Sequence, residues 1–230
     1  MKRVTMFIVL IFLISGVSQA TEEKLTFGRF GQMTVYYQSP HPANVVLFVS
    51  RDGWASLGLD IEKYIASQGI AVVWFNSLQY FWTRRTPDEA GRALARALEY
   101  YLAAWKKDRA ILVGYSLGAD VLPFMADRLP PELIVRVKLV ALLGLDSKVD
   151  FEFHLTDRVG GADPGTALPV KPEVEKLAGT RVLCFYGDDE SDSLCRGLKP
   201  SQATVIGLEG GHHFNSDYTG IADRIIKEAR

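Results

Sequence analysis

The chain has 230 residues, 48% of them hydrophobic, and a formal net charge of −1 at pH 7. That length and apolar fraction suffice for one domain with a sizeable core. The near-zero charge excludes a nucleic-acid or other polyanion binder whose affinity rests on bulk basic charge.

In chain order, Lys2 and Arg3 precede the apolar run "VTMFIVLIFLISGV", and Ser18 and Ala20 supply small residues before "TEEK". A positive head, an apolar centre and a small-residue end match an export signal over residues 1–20, cleaved after Ala20, with an uncleaved anchor as the alternative. The expectation is a single mature domain, residues 21–230, working outside the cytoplasm; in a Gram-negative cell that compartment is the periplasm. The segments "LTFGRF" and "MTVYYQS" suit an antiparallel hairpin at a sheet edge, with Phe30-Gly31 near the turn.

Six apolar runs follow, at 45–50, 70–75, 110–115, 137–144, 181–187 and 203–208. They are β-branched and do not alternate with polar residues, as in strands of a sheet covered on both faces. Helices are expected near 57–68, 86–106, 117–128 and 216–229. The second opens with Thr86 as N-cap, Pro87 in the first turn, then Asp88 and Glu89; Leu94, Ala97, Leu98, Tyr101 and Leu102 recur at helical spacing. Alternating strands and helices predict a three-layer α/β/α sandwich around a mainly parallel sheet with right-handed crossovers. The Gly- and Pro-rich stretch 158–174 reads as a surface loop and not as a second domain.

At the junction of the third run and its helix stands "VGYSLGADVLPF", with the pentapeptide Gly114-Tyr115-Ser116-Leu117-Gly118. A tight strand-to-helix turn projects a serine hydroxyl above the sheet, and the helix N-terminus favours developing negative charge. A structural serine in a glycine-rich turn is the bland alternative. A serine nucleophile needs a histidine base and a carboxylate to orient it, and here they follow in the order serine, acid, histidine. Asp188, Asp189, Glu190 and Asp192 follow the fifth run, and "EGGHHF" follows the sixth. Glu190, three residues after Gly187, is the first choice for the acid, with Asp192 as runner-up. His212, directly after Gly210-Gly211, is preferred over His213 as base.

For the oxyanion hole the expected donors are the amide of Leu117 and one from "SRDGW", with Asp52 first and Arg51 or Gly53 as alternatives. Trp54 is either a pocket wall or ordinary packing. Cys184 and Cys195 are the only cysteines and are free to pair in an oxidising compartment. No cofactor is called for, since neither a phosphate-cradling glycine loop nor a metal-spaced cluster occurs.

The blocks "SRDGW", "SLQYFWTRRTP", "GYSLGADVLPF", "DRLP", "YGDDESDSLC" and "GGHHFNSDY" resemble the signature segments of the bacterial virulence protein VirJ family, which includes AcvB. The resemblance runs from about residue 44 to the C-terminus. It implies an α/β-hydrolase fold without a large cap domain, located in the periplasm, acting on aminoacylated phosphatidylglycerol such as the lysyl form. By position the family's nucleophile falls on Ser116, its histidine on the His212-His213 pair and its acid in the cluster ending at Asp192. The family's "SGDGGW" loop is the shorter "SRDGW" here, which bears on the oxyanion donor and on headgroup preference.

A cationic aminoacyl group calls for carboxylates or aromatic faces. Asp120, one helical turn after Ser116, is a candidate for the ammonium, with a buried structural hydrogen bond as the alternative. Tyr80, Trp82 and Arg84 are candidates for the lipid interface and its phosphodiester, with packing of the next helix as the alternative. The expected partner is thus an aminoacylated phospholipid at the membrane surface. Two rival readings stand beside this one: a periplasmic binding factor or chaperone for secretion-system substrates, and a general carboxylesterase or thioesterase.

Overall fold

The computed structural model describes residues 21–26, 32–37, 45–50, 57–152 and 166–229. The export signal expected over 1–20 lies outside these residues. Among the described residues no helix is long and apolar enough to cross a membrane.

The first two strands, β1 (Thr21–Thr26) at the sheet edge and β2 (Gln32–Tyr37) next to it, pair antiparallel as expected. β1 begins earlier than the apolar pattern suggests and takes in the charged "TEEK". An outermost strand tolerates charge, because only one of its edges is paired. β3 (Val45–Ser50), α1 (Leu57–Ser67) and β4 (Ala71–Asn76) follow. Next comes a short helix that the periodicity does not announce, α2 (Ser77–Phe81), begun by the Asn76 side chain accepting the Gln79 N–H.

The long helix α3 (Pro87–Ala104) starts at a reciprocal cap: Thr86 Oγ1 accepts the Glu89 N–H at 3.2 Å, and Glu89 Oε2 accepts the Thr86 N–H at 2.9 Å. β5 (Ala110–Tyr115), buried throughout, runs into α4 (Leu117–Asp127), whose residues 118–126 are all buried. A helix apolar on nearly every side belongs beneath other elements, and α4 lies between the sheet and α3.

The remaining elements are α5 (Pro131–Ile134), β6 (Val137–Leu143), a ministrand pair β7 (Lys148–Val149) and β8 (Leu168–Pro169), α6 (Lys171–Lys176), β9 (Val182–Gly187), β10 (Thr204–Leu208) and α7 (Tyr218–Ala229). Short 3₁₀ turns occupy Leu194–Gly197 and Phe214–Ser216.

The large sheet has the order β1-β2-β4-β3-β5-β6-β9-β10 and is parallel from β4 to β10. Side chains of β5 alternate between two cores: Leu112 points to the α3/α4 side, while Ile111, Val113 and Tyr115 point to the α1/α7 side. The sheet is therefore the middle of three layers, as expected. Chain direction across the sheet reverses between β3 and β5, and crevices form at the carboxyl ends of strands at such a switch point. Ser116 is the first residue past β5 at that end.

Candidate active site

The turn from β5 to α4 holds Ser116 at φ 54°, ψ −128°, a left-handed conformation costly for a residue with a Cβ, by roughly 1–3 kcal/mol. Its N–H donates to the Leu143 carbonyl at 3.0 Å, while its own carbonyl accepts from Ala119 at 2.7 Å and Asp120 at 3.1 Å. Gly114 explains the first glycine of the motif: a Cβ there would lie 2.5 Å from the Gly118 carbonyl oxygen and 2.8 Å from Ala119 Cα. Leu117 opens α4, and a helix leaves its first amides without internal acceptors. The expected second donor, Asp52, and its neighbours Arg51, Gly53 and Trp54 lie outside the described residues.

After β9 the chain turns back on itself, with the Glu190 N–H donating to the Gly187 carbonyl at 2.9 Å. The Glu190 carboxylate is then fixed at both oxygens: Oε2 accepts the Gly187 N–H at 2.8 Å, and Oε1 lies 2.6 Å from His212 Nδ1. Arg196 clasps the same loop from outside. Its Nε donates to the Glu190 carbonyl at 2.9 Å, Nη2 donates to the Asp188 carbonyl at 2.7 Å, and the guanidinium lies 4.3 Å from the centre of the Tyr186 ring. A disulfide joins Cys184 in β9 to Cys195 in the turn beyond the loop. The acid loop is thus tied down at both ends.

His212 arrives from the loop after β10. Gly210, at φ 89°, and Gly211 bring that loop across Gly187 so closely that a Cβ on Gly187 would collide with both of their carbonyl oxygens. The His212 imidazole rests against Gly144, the residue after β6; a Cβ built on Gly144 would stand 2.6 Å from Cε1 and 2.8 Å from Nδ1. Tyr115 stacks on the ring at a centroid distance of 5.3 Å and an interplanar angle of 29°. The side chain of His212 is 39% exposed and that of Glu190 17%, so the imidazole faces the cleft with the carboxylate beneath it.

Of the two histidines only His212 pairs with the acid cluster; His213 Nδ1 lies 2.9 Å from the Tyr115 hydroxyl instead. Of the four acidic residues, Glu190 makes that pair. Asp192 lines the cleft with Gly144, Leu145, Asp146, Glu190 and Ser193. A second, larger groove between β9, β10 and α7, lined by Phe185, Ile206, Leu208 and Ile221, includes none of these residues.

Two expectations about substrate contacts need correction, those for Asp120 and Tyr80. Asp120 does not face the cleft mouth: it is buried, and its Oδ1 accepts the Asp146 N–H at 2.7 Å, so it braces the loop after β6. Burial holds its carboxyl well above the usual carboxylate range; the Asp146 amide opposes this, and the charges of Asp146 and Glu190 add to it. Tyr80 is core, packed edge-on against Phe75 and Phe81, because the segment coils into α2 and turns that ring inward. Arg84 is exposed but engaged, its Nε 2.6 Å from Glu152 Oε2, which ties the loop after α2 to the stem of the β7–β8 excursion. Trp82 is 59% exposed at the carboxyl-end face of the sheet.

Sequence reasoning did not single out Gly144, Tyr115 as a support, or Arg196. The first could not be found from spacing, since its partner is 68 positions away; Tyr115 lay in plain view inside the pentapeptide.

Comparison with known proteins agrees with this architecture. A family model described as "Bacterial virulence protein (VirJ)" matches residues 43–230. No curated protein sequence matches the chain. Among solved structures, the chain is similar to Est1E from Butyrivibrio proteoclasticus, at a TM-score of 0.62 and 11% identity, over 90% of this chain and 96% of that one. It is also similar to a thioesterase domain from the curacin biosynthetic pathway (TM-score 0.57, 17% identity, 90% and 99% covered). A third likeness is to naproxen esterase from Bacillus subtilis (TM-score 0.58, 14% identity, 91% of each). These neighbours share the α/β-hydrolase fold, and this chain has it.

Proposed function

The chain belongs to the VirJ family of bacterial virulence proteins, and from that premise we propose that it is a serine hydrolase of ester bonds, with Ser116 as nucleophile, His212 as base and Glu190 as the carboxylate that orients it. The observation that carries this is the Glu190–His212 contact of 2.6 Å at the same end of the sheet as the strained Ser116 turn. With Nδ1 committed to Glu190, Nε2 is the nitrogen that takes the Ser116 proton as Oγ attacks the ester carbonyl. The tetrahedral oxyanion is met by the Leu117 amide and a donor from the loop after β3. Collapse expels the alcohol, which receives its proton from His212. Water, deprotonated by the same imidazole, then releases the acyl group from Ser116.

For the substrate we propose the aminoacyl ester of an aminoacylated phosphatidylglycerol, the lysyl form included, met at a membrane surface after export to the periplasm. Family membership supports this class. Exposed Trp82 supports docking at a lipid–water interface from the face that carries Ser116. The exposed carboxylates Asp146 and Asp192 beside His212, and not Asp120, suit a cationic aminoacyl group.

The test is lysine release from lysyl-phosphatidylglycerol vesicles by the purified protein, alongside fluorophosphonate labelling, for wild type and Ser116→Ala. Both signals should vanish in the variant. Labelling that persists there overturns Ser116 as nucleophile. Labelling confined to Ser116 without lysine release overturns the aminoacyl lipid and leaves a carboxylesterase or thioesterase. A wild type that neither labels nor releases lysine leaves the binding-factor reading.

A further inference from the structure

The single hydrogen bond between His212 Nδ1 and Glu190 leaves the imidazole able to rock about that contact, so it does not by itself fix the plane of the ring. The backbone beyond it is irregular. The 3₁₀ turn Phe214–Ser216 that follows has all three residues at positive φ, 50°, 47° and 65°, so no regular right-handed helix carries on from His212. Beyond Glu190 and the Gly144 backbone, a further contact bears on the register of the base with the serine.

Tyr115, the residue before Ser116 in the chain, touches both histidines of this loop. Its ring faces the α1/α7 side of the sheet, stacks on His212, and approaches Phe214 at 6.4 Å. Its hydroxyl donates to the His212 carbonyl at 3.2 Å and meets His213 Nδ1 at 2.9 Å. Tyr115 is only 8% exposed, and a hydroxyl in such a place is costly unless it is hydrogen-bonded. A phenol has one hydrogen and accepts others. With a proton on His213 Nδ1, the chain runs from that N–H to the Tyr115 oxygen, and from the Tyr115 O–H to the His212 carbonyl, with each donor matched to one acceptor. His213 itself is exposed, and its carbonyl accepts from the Tyr218 hydroxyl at 3.5 Å.

We infer that Tyr115 and His213 form a positioning pair: the Tyr115 ring sets the plane of His212, and its hydroxyl, oriented by His213, pins the His212 backbone, so that the base is registered against the nucleophile through the residue next to Ser116 in the chain. This role rests on Ser116 and His212 being the reacting pair. It accounts for the second histidine of "GGHHF" without giving it a proton to transfer to substrate.

The experiment measures the second-order rate of fluorophosphonate labelling at Ser116, kcat and KM on p-nitrophenyl butyrate, and the melting temperature. The variants are Tyr115→Phe, His213→Ala, His213→Asn and the double variant Tyr115→Phe/His213→Ala, with Ser116→Ala and His212→Ala as controls. Displacing a base by a fraction of an ångström costs less than the hundredfold of a full 1 Å, so Tyr115→Phe and His213→Ala should each slow labelling and kcat about tenfold, with KM within about twofold. Asparagine places a donor near the Nδ1 position, and His213→Asn should recover activity to within about threefold of wild type. Because the two residues act as one unit, the double variant should be no slower than the slower single one.

Wild-type rates in Tyr115→Phe or His213→Ala overturn the pair, as does a double variant about a hundredfold slower, the product of two independent losses. Loss of all labelling in His213→Ala with labelling retained in His212→Ala overturns the choice of base and the pair with it. Wild-type labelling that Ser116→Ala does not abolish overturns the hydrolase reading, a result distinct from normal Ser116 labelling in Tyr115→Phe, which removes the pair alone.

Discussion

Replacing Gly144 by alanine gives the most quantitative test of how His212, the proposed base, is seated. The new Cβ would lie 2.6 Å from His212 Cε1, where non-bonded carbons rest at about 3.5–4.0 Å, so the imidazole must retreat by about 1 Å. A retreat of that size breaks a contact that is now 2.6 Å from Nδ1 to Glu190. Misplacing a catalytic group by about 1 Å costs on the order of a hundredfold in rate. Separately, Gly144 sits at φ +64°, and a side chain there costs about 1–2 kcal/mol of backbone strain. For a domain of this size that lowers the melting temperature by roughly 2–8 °C. Gly179→Ala is the matched control: φ is +99° and nothing lies within 4 Å of its Cβ, so it carries backbone strain without touching the ring. Fluorophosphonate labelling, kcat on p-nitrophenyl butyrate and thermal melts on both variants separate the two effects. Both should melt lower, and only Gly144→Ala should lose activity. Gly144→Ala labelling at within about threefold of the wild-type rate would refute the seating of His212 against Gly144.

Three further outcomes follow from the same coordinates. Cys184 and Cys195 are separated by 11 positions, and opening a loop of that length by Cys184→Ala/Cys195→Ala should cost about 3 kcal/mol in urea unfolding; an unchanged midpoint would contradict the bridge. Asp120, raised by burial, binds its proton more tightly folded than unfolded. Its contribution is therefore complete below the unfolded value of about 3.9 and declines as pH rises toward the folded value. Asp120→Asn, which keeps an oxygen for the Asp146 N–H, should exceed wild type in stability at pH 7 with the gap closing by pH 4, whereas Asp120→Ala should lose stability at both. Glu62 is fully buried and, among the described residues, neither of its carboxylate oxygens has a hydrogen-bond partner; burial raises it well above the usual range. Glu62→Met should gain about 1–3 kcal/mol at pH 7, read by denaturant midpoint, and a loss would show that the carboxyl has a structural task.

What was legible in the sequence was what local chemistry dictates. Apolar runs without alternation marked the buried strands, Thr86-Pro87 and Glu89 marked the start of α3, and the offset of Glu190 from Gly187 and the glycines before His212 singled out the two residues the structure brings into contact. What was not legible depends on which way a side chain turns once elements pack. "SLQYFW" reads as either a lipid interface or packing of the next helix, and coiling into α2 splits it: Tyr80 goes into the core and Trp82 stays outside. Asp120 has helical spacing from Ser116, yet that spacing carries it under the loop after β6 and into a bond with a backbone amide. Gly144 carried no signal at all, because its requirement comes from a ring delivered by another strand.

The order of strands in the sheet also sets a schedule for biogenesis. The serine turn is complete once β5 and β6 are paired, since its amide rests on Leu143. The imidazole comes only with the loop after β10, and the helix beyond that loop closes against α1 through the Tyr64 hydroxyl and Asp223 at 2.8 Å. A chain emerging amino end first therefore builds the Ser116 turn before the loop that carries His212 has been made. On the proposed reading of Ser116 as nucleophile and His212 as base, the pair comes together only when the last strand and helix dock, so a partly folded chain holds the serine without its base.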